Sequence, residues 1–288
     1  MWNLLLHWNL LFQVSYGNGI YELTEEEKTL IEEHKLFYAD LFKFGNKVLD
    51  DCFDENTIKD YELTIYSNIY RIIELLDTLK VMTENSLINS GFIILRSLTE
   101  SAVQLCYLIS DSDEMQKRAT ILQMLDIKRT AVNKDVFWKK MEKYSCYKDY
   151  VEILKTEKTF PNWYSYCEGK RTTIENLFNK VGWKEIYNKL YKPLCIETHE
   201  INHMETNIVP KDGKFNFKPF RMFENHVLLL NSMLTVMIPT FHSMIDVFGH
   251  ETLKKEWSKY EIKAAKYVQD NNDISEIEKV FNPLSKWY

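Results

Sequence analysis

Residues 227–245, VLLLNSMLTVMIPTFHSMI, run for nineteen positions without an Asp, Glu, Lys or Arg. A stretch so apolar must leave water, into either a protein core or a bilayer. Pro239 would kink a helix here, and Asn231, Thr235 and His242 fall roughly along one face, which suits a core helix better than a span. A second stretch, NSLINSGFIILRSLTESAVQLCYLIS (85–110), carries only Arg96 and Glu100 as charges. Both sit at its middle, where a membrane span would not place them, so it reads as the central helix of a core buried on most sides. No membrane partner is expected.

Two buried helices need others to cover them. The chain has 288 residues but only 8 Gly and 6 Pro, against 17 Tyr and 16 Phe, so long elements with few tight turns are favoured. The fold class predicted is all-α, a multi-helix bundle around the two apolar helices. Thr24 followed by three Glu reads as an N-cap, opening a helix over about 24–50. Ile58, Tyr61, Ile65, Ile69, Ile72, Leu76 and Leu79 keep helical spacing over about 56–83. Residues 112–158 read as two further helices after a joint at DSD. TFPNWYSYCEGKRT (159–172) reads as a loop, and the following segment as short helices broken at Gly182 and Pro193. Pro and Gly in TNIVPKDGKFNFKPF mark an irregular or hairpin insertion near 205–218, and HETLKKEWSKYEIKAAKYVQDNN a terminal amphipathic helix. The expected organisation is an apolar N-terminal segment, 1–23, and a single helical domain, 24–288.

The opening MWNLLLHWNLLFQV lacks the basic flank and small-residue cleavage site of a signal peptide. It is expected to pack on the core or to mediate homo-oligomerisation. Cys52, Cys106, Cys146, Cys167 and Cys195 are odd in number and form no C-x-x-C pair, which fits a reducing cytoplasm and argues against a disulfide framework or a cysteine zinc site. A net charge of −6 disfavours passive wrapping of nucleic acid, so any such contact would be local.

Several motifs carry chemistry. Arg96 and Glu100, at i and i+4, share a helix face. They form either a structural ion pair or a polar centre in which Arg96 binds phosphate and Glu100 orients a neighbour or acts as a base. His199-Glu200-Ile201-Asn202-His203 matches the zinc-peptidase pattern, with two imidazoles one turn apart and Glu200 as general base. Its charged flanks, Glu197 and Glu205, weaken that reading, and a third ligand would have to come from Glu224 beyond a Pro- and Gly-containing loop. RMFENH (221–226) has the Arg-x-x-x-x-His spacing of metal-independent HEPN ribonucleases, in which His takes the 2′-hydroxyl proton and Arg stabilises the phosphate. Cys195 precedes His199 by four residues, a spacing open to a thiol–imidazole pair or to a merely buried thiol.

Two blocks, INSGFIILRSLTESAVQLCYLIS (88–110) and NWYSYCEGKRTTIENLFNKVGWKEIYNKLYKPLCIETHE (162–200), resemble a bacterial helical family known as domain of unknown function fifty-six seventy-seven. The resemblance spans about 60–245. It carries an Arg-x-x-x-Glu on a buried helix, then a Trp, a short helix and Tyr-x-x-Leu-Ser-x-x-x-His. These fall on Arg96 and Glu100, then Trp163, Tyr191, Leu194 and His199, with Cys195 where the family has Ser. It implies that Arg96, Glu100, Tyr191 and His199 form one site, and that Glu200 and His203 are not part of it.

The functional expectation is a metal-independent site, with no cofactor, that cleaves RNA or binds nucleotides in a bacterial toxin or phage-defence setting. His199 is the expected acid/base, Arg96 the phosphate anchor, Glu100 the orienting group and Tyr191 a hydrogen-bond donor. A zinc peptidase through His199 and His203, and a non-catalytic binding or interaction module, are the alternatives.

Overall fold

The computed structural model describes residues 23–53, 58–85, 87–155, 160–199, 208–211, 214–217 and 223–270. The N-terminal segment, and the oligomer expected to form through it, lie outside these residues up to position 22. Helix α1 (Glu25–Cys52) begins as its sequence requires: Thr24 N–H donates to Glu27 Oε2 at 2.8 Å and Glu27 N–H to Thr24 Oγ1 at 3.2 Å, so two orphan amides satisfy each other's side chains. Helices α2 (Asp60–Glu84) and α3 (Ile88–Ile109) follow. The stretch read as two helices divides into three, α4 (Ser112–Thr130), α5 (Lys134–Met141) and α6 (Ser145–Lys155). Asn133 supplies the extra break, its side chain accepting from Asp135 and Val136 N–H as an N-cap.

The segment expected to be a loop contains a helix, α7 (Trp163–Glu168). Asn162 gives it no side-chain cap, and burial of Trp163, Tyr164 and Tyr166 holds it instead. Gly169, at φ 63°, ends it in the left-handed conformation that a glycine adopts without a Cβ penalty. Helix α8 (Ile174–Lys180) stops before Gly182, at φ 77°, as expected. Pro193 does not break the chain. A short turn, α9 (Lys184–Ile186), runs into a π-helical turn at Tyr187–Tyr191 and directly into α10 (Lys192–His199). Lys192 N–H reaches Tyr187 O, five residues back, so the wider turn absorbs the clash and missing donor that Pro193 would impose on a regular helix. Strands β1 (Ile208–Lys211) and β2 (Lys214–Phe217) pair antiparallel, Ile208 opposite Phe217 and Lys211 opposite Lys214, where the insertion was expected. Helices α11 (Phe223–Phe248) and α12 (Glu251–Asp270) complete the described chain.

α3 lies between α2 and α11, its two principal neighbours. By length and composition α3 and α11 could each cross a membrane, yet 61% and 67% of their most apolar windows are buried by the rest of the chain. The polar face of α11 is the outward one, since Thr235 and His242 are exposed. Gly91 allows a close α3–α11 approach: a Cβ there would lie 2.6 Å from Leu229 Cδ2, within a fully buried side chain. Gly91→Ala is therefore expected to cost about 1–3 kcal/mol by overpacking, despite better helix propensity, and a urea titration reads the loss directly. A smaller cluster, including Ile121, Met124, Phe137, Met141, Leu154 and Tyr166, joins α4–α7 beside the main core.

Candidate functional site

The two charges of α3 are not sealed in the core. The Arg96 and Glu100 side chains retain 22% and 33% of their exposure, because they lie on the edge of α3 that faces α7–α10. That edge is a polar stripe, Arg96, Glu100, Gln104 and Tyr107, spaced by four, four and three residues and so aligned on one face. Each member meets a partner from the segment 163–195. Arg96 Nε donates to Cys195 Sγ at 3.3 Å. Tyr191 donates its hydroxyl to Glu100 Oε1 at 2.6 Å, and the same oxygen lies 3.5 Å from Arg96 Nη2. Trp163 Nε1 donates to Gln104 Oε1 at 2.8 Å, and the Tyr107 hydroxyl to Glu168 Oε1 at 2.5 Å.

The π-helical turn is what aims Tyr191. It places the buried Tyr191 ring 5.0 Å from Phe178 of α8, with the Arg96 guanidinium 5.9 Å from the same ring. Burial, then the hydrogen bond to Glu100 and its charge, push this phenol far above its ordinary pKa, so Tyr191 is a donor and not a base at any working pH. Tyr164, also buried, is pushed up to about 12 by burial and then by Glu100. The Arg96 guanidinium spends Nε and Nη2 on Cys195 and Glu100, while Nη1 makes no hydrogen bond among the described residues. A positioned, partly exposed cation is an arrangement that can take an oxyanion.

Three of the four expected site residues, Arg96, Glu100 and Tyr191, thus converge. His199 is the last residue of α10, four positions after Cys195. Its side chain, with Glu200 and His203, lies outside the described residues. Among the described residues no group of three or more His, Cys, Asp and Glu could hold a metal ion. Gln104, Tyr107, Tyr164 and Glu168 were not anticipated. Gln104 and Tyr107 continue the Arg96–Glu100 spacing and could have been found from it, whereas Tyr164 and Glu168 announce themselves only through contacts.

The Arg-x-x-x-x-His histidine is elsewhere. His226 is 3% exposed and its ring stacks on His34 of α1, centroids 5.6 Å apart. Arg221 lies outside the described residues. Burial lowers both imidazoles to about 4, helped at His34 by His226 and at His226 by Lys35. An imidazole so enclosed and so weakly basic is poorly placed to exchange protons with a substrate. It does make stability depend on pH. Above about 6.5 both rings are neutral whether folded or not; as pH falls from there toward 4 the unfolded chain takes up protons that the folded chain refuses, and stability drops. The loss is expected to reach at most about 3 kcal/mol per ring and then level off. Urea midpoints at pH 7 and 4.5 measure it, and His226→Phe is expected to remove about half of the difference.

Residues 62–215, more than half of the chain, match the model of a family described as "Family of unknown function (DUF5677)". The chain belongs to this family. No curated protein and no solved structure matches it. The DUF5677 region contains Arg96, Glu100, Trp163, Tyr191, Cys195 and His199, and leaves out Arg221 and His226. Membership names no activity and lends nothing to the HEPN-like analogy.

Proposed function

We propose that the edge of α3 is a metal-independent phosphodiester site, acting on RNA or a nucleotide, with Arg96 as its phosphate anchor. The observation that carries this reading is the Arg96 guanidinium, fixed on two sides by Glu100 and Cys195 while 22% of its side chain stays exposed. Preorganised in this way, it can meet the charge that develops on a phosphoryl oxygen without reorganising at that moment. Tyr191 and Arg96 hold Glu100 through Oε1, and among the described residues Oε2 accepts no bond. His199, closing the same helix that carries Cys195, supplies the acid/base function. A bacterial toxin or phage-defence role in the cytoplasm is the setting in which such an activity would serve.

The test is an end-labelled oligoribonucleotide incubated with purified protein, with and without EDTA, beside Arg96→Ala and His199→Ala. Cleavage that survives EDTA and is lost in both variants supports the proposal. Cleavage abolished by EDTA, with zinc bound at one equivalent per chain, favours the peptidase-type motif at His199 and His203. One observation favours a non-catalytic module instead: every member of the α3 stripe is paired, as residues that only staple α7–α10 to the core would be. On that reading the wild type shows no turnover, and the variants change only its melting temperature.

A further inference from the structure

Beside the site lies a second polar feature of different character. Lys170, Arg171 and Thr172, on the turn after α7, face Asn176, Asn179 and Lys180 of α8 across an open groove of about 450 Å³. Three cations and two carboxamides line it, and no carboxylate does, in a chain with 42 acidic residues against 36 Lys and Arg. Some other surface lysines pair with a local acid, as Lys28 does with Glu25, Lys35 with Glu32 and Lys117 with Glu114. Among the described residues the exposed Lys170 and Arg171 side chains make no ion pair or hydrogen bond, and Glu168, the acid that precedes them in sequence, is engaged elsewhere. Glu168 is held by Lys180 at 2.9 Å and by Tyr107.

The backbone at the groove's edge is anchored. Gly169 turns the chain, and the buried Ser165 Oγ then grips Thr172 twice, accepting from its N–H at 2.9 Å and donating to its carbonyl at 3.1 Å. On the other wall, Asn176 spends Oδ1 on Thr173, which turns its amide nitrogen outward as a donor. A lining of cations and carboxamides with no carboxylate is what a run of phosphates requires. The groove connects to α3 through Lys180, Glu168 and Tyr107, and Tyr107 stands eleven residues from Arg96, about 16 Å along the helix. A few nucleotides of one strand would span that interval.

We propose that this groove binds a chain of phosphates, as the backbone of a single-stranded RNA whose reacting phosphodiester lies at Arg96; the RNA half of this rests on the function proposed above. Its test uses the full chain, Lys170→Ala/Arg171→Ala, and three probes: a ten-nucleotide single-stranded RNA, a dinucleotide and inorganic tripolyphosphate. The double variant is expected to bind the ten-mer at least tenfold more weakly. Its plot of log affinity against log salt should flatten by about 1.4, since each lost contact to a single strand removes about 0.7. Dinucleotide affinity, which reaches only Arg96, should not change, and tripolyphosphate should raise the melting temperature of the wild type but not of the variant. Asn179→Asp, which places a carboxylate in the groove without removing a cation, should weaken ten-mer and tripolyphosphate alike. If the wild type binds tripolyphosphate through Lys170 and Arg171 but no RNA, the groove stands as a site for free polyphosphates and the Arg96 reading falls. Unchanged affinity and salt slope in both variants, or a wild type that binds neither polyanion, would overturn the groove itself.

Discussion

Arg96→Ala is expected to lower oligoribonucleotide cleavage by about 10²–10³-fold, the usual consequence of deleting one preorganised donor to a developing oxyanion. Arg96→Lys should recover little of it. A lysine offers one compact ammonium, and cannot hold Cys195 and Glu100 with separate nitrogens while a third remains for a phosphate. The fold should barely notice either change, because an ion pair with 22% and 33% of its side chains exposed contributes roughly 0–1 kcal/mol. Turnover and melting temperature therefore separate the two readings of the stripe. A large loss of rate with an unchanged melt is the signature of a phosphate anchor; a lowered melt with no turnover to lose is that of a staple.

Phe44→Ala should be the more damaging change to the fold, at about 3–5 kcal/mol. The Phe44 ring is 1% exposed and lies 5.6 Å from Phe241, 5.3 Å from Trp257 and 4.8 Å from Tyr260. It therefore joins α1 to both α11 and α12, none of which lies in the DUF5677 region. Three large rings cannot collapse into the space it would leave, so the cavity persists and its cost adds to the lost burial. Urea unfolding followed by tryptophan fluorescence would report the change through Trp257 itself, and an effect under about 1 kcal/mol would mean that α12 does not pack on the core as described.

Much of the fold was legible because helices advertise themselves locally. The 3.6-residue recurrence of apolar side chains, the Thr24 N-cap with its acidic first turn and the charge-free run of α11 are all properties of neighbours in sequence. α7 was not legible in this way. Its Asn162 makes no cap, and what holds it is the burial of Trp163, Tyr164 and Tyr166 against helices far away in the chain. The passage through Pro193 was hidden for a related reason, since a proline by itself argues for a break and only the wider π turn before it removes the conflict.

For the site, the residues by themselves determined that Arg96 and Glu100 share a face, because an i, i+4 spacing does so in any α-helix. They determined too that such charges on an apolar helix need partners, since an unpaired charge is costly away from water. Which partners these are was decided by tertiary structure alone. Cys195 and Tyr191 lie 99 and 91 residues from the groups they bind, and no local spacing relates positions so distant. Packing of α10 and the π turn along α3 brings them there, and it also leaves the pair at a rim rather than in the interior, with 22% and 33% of the two side chains exposed.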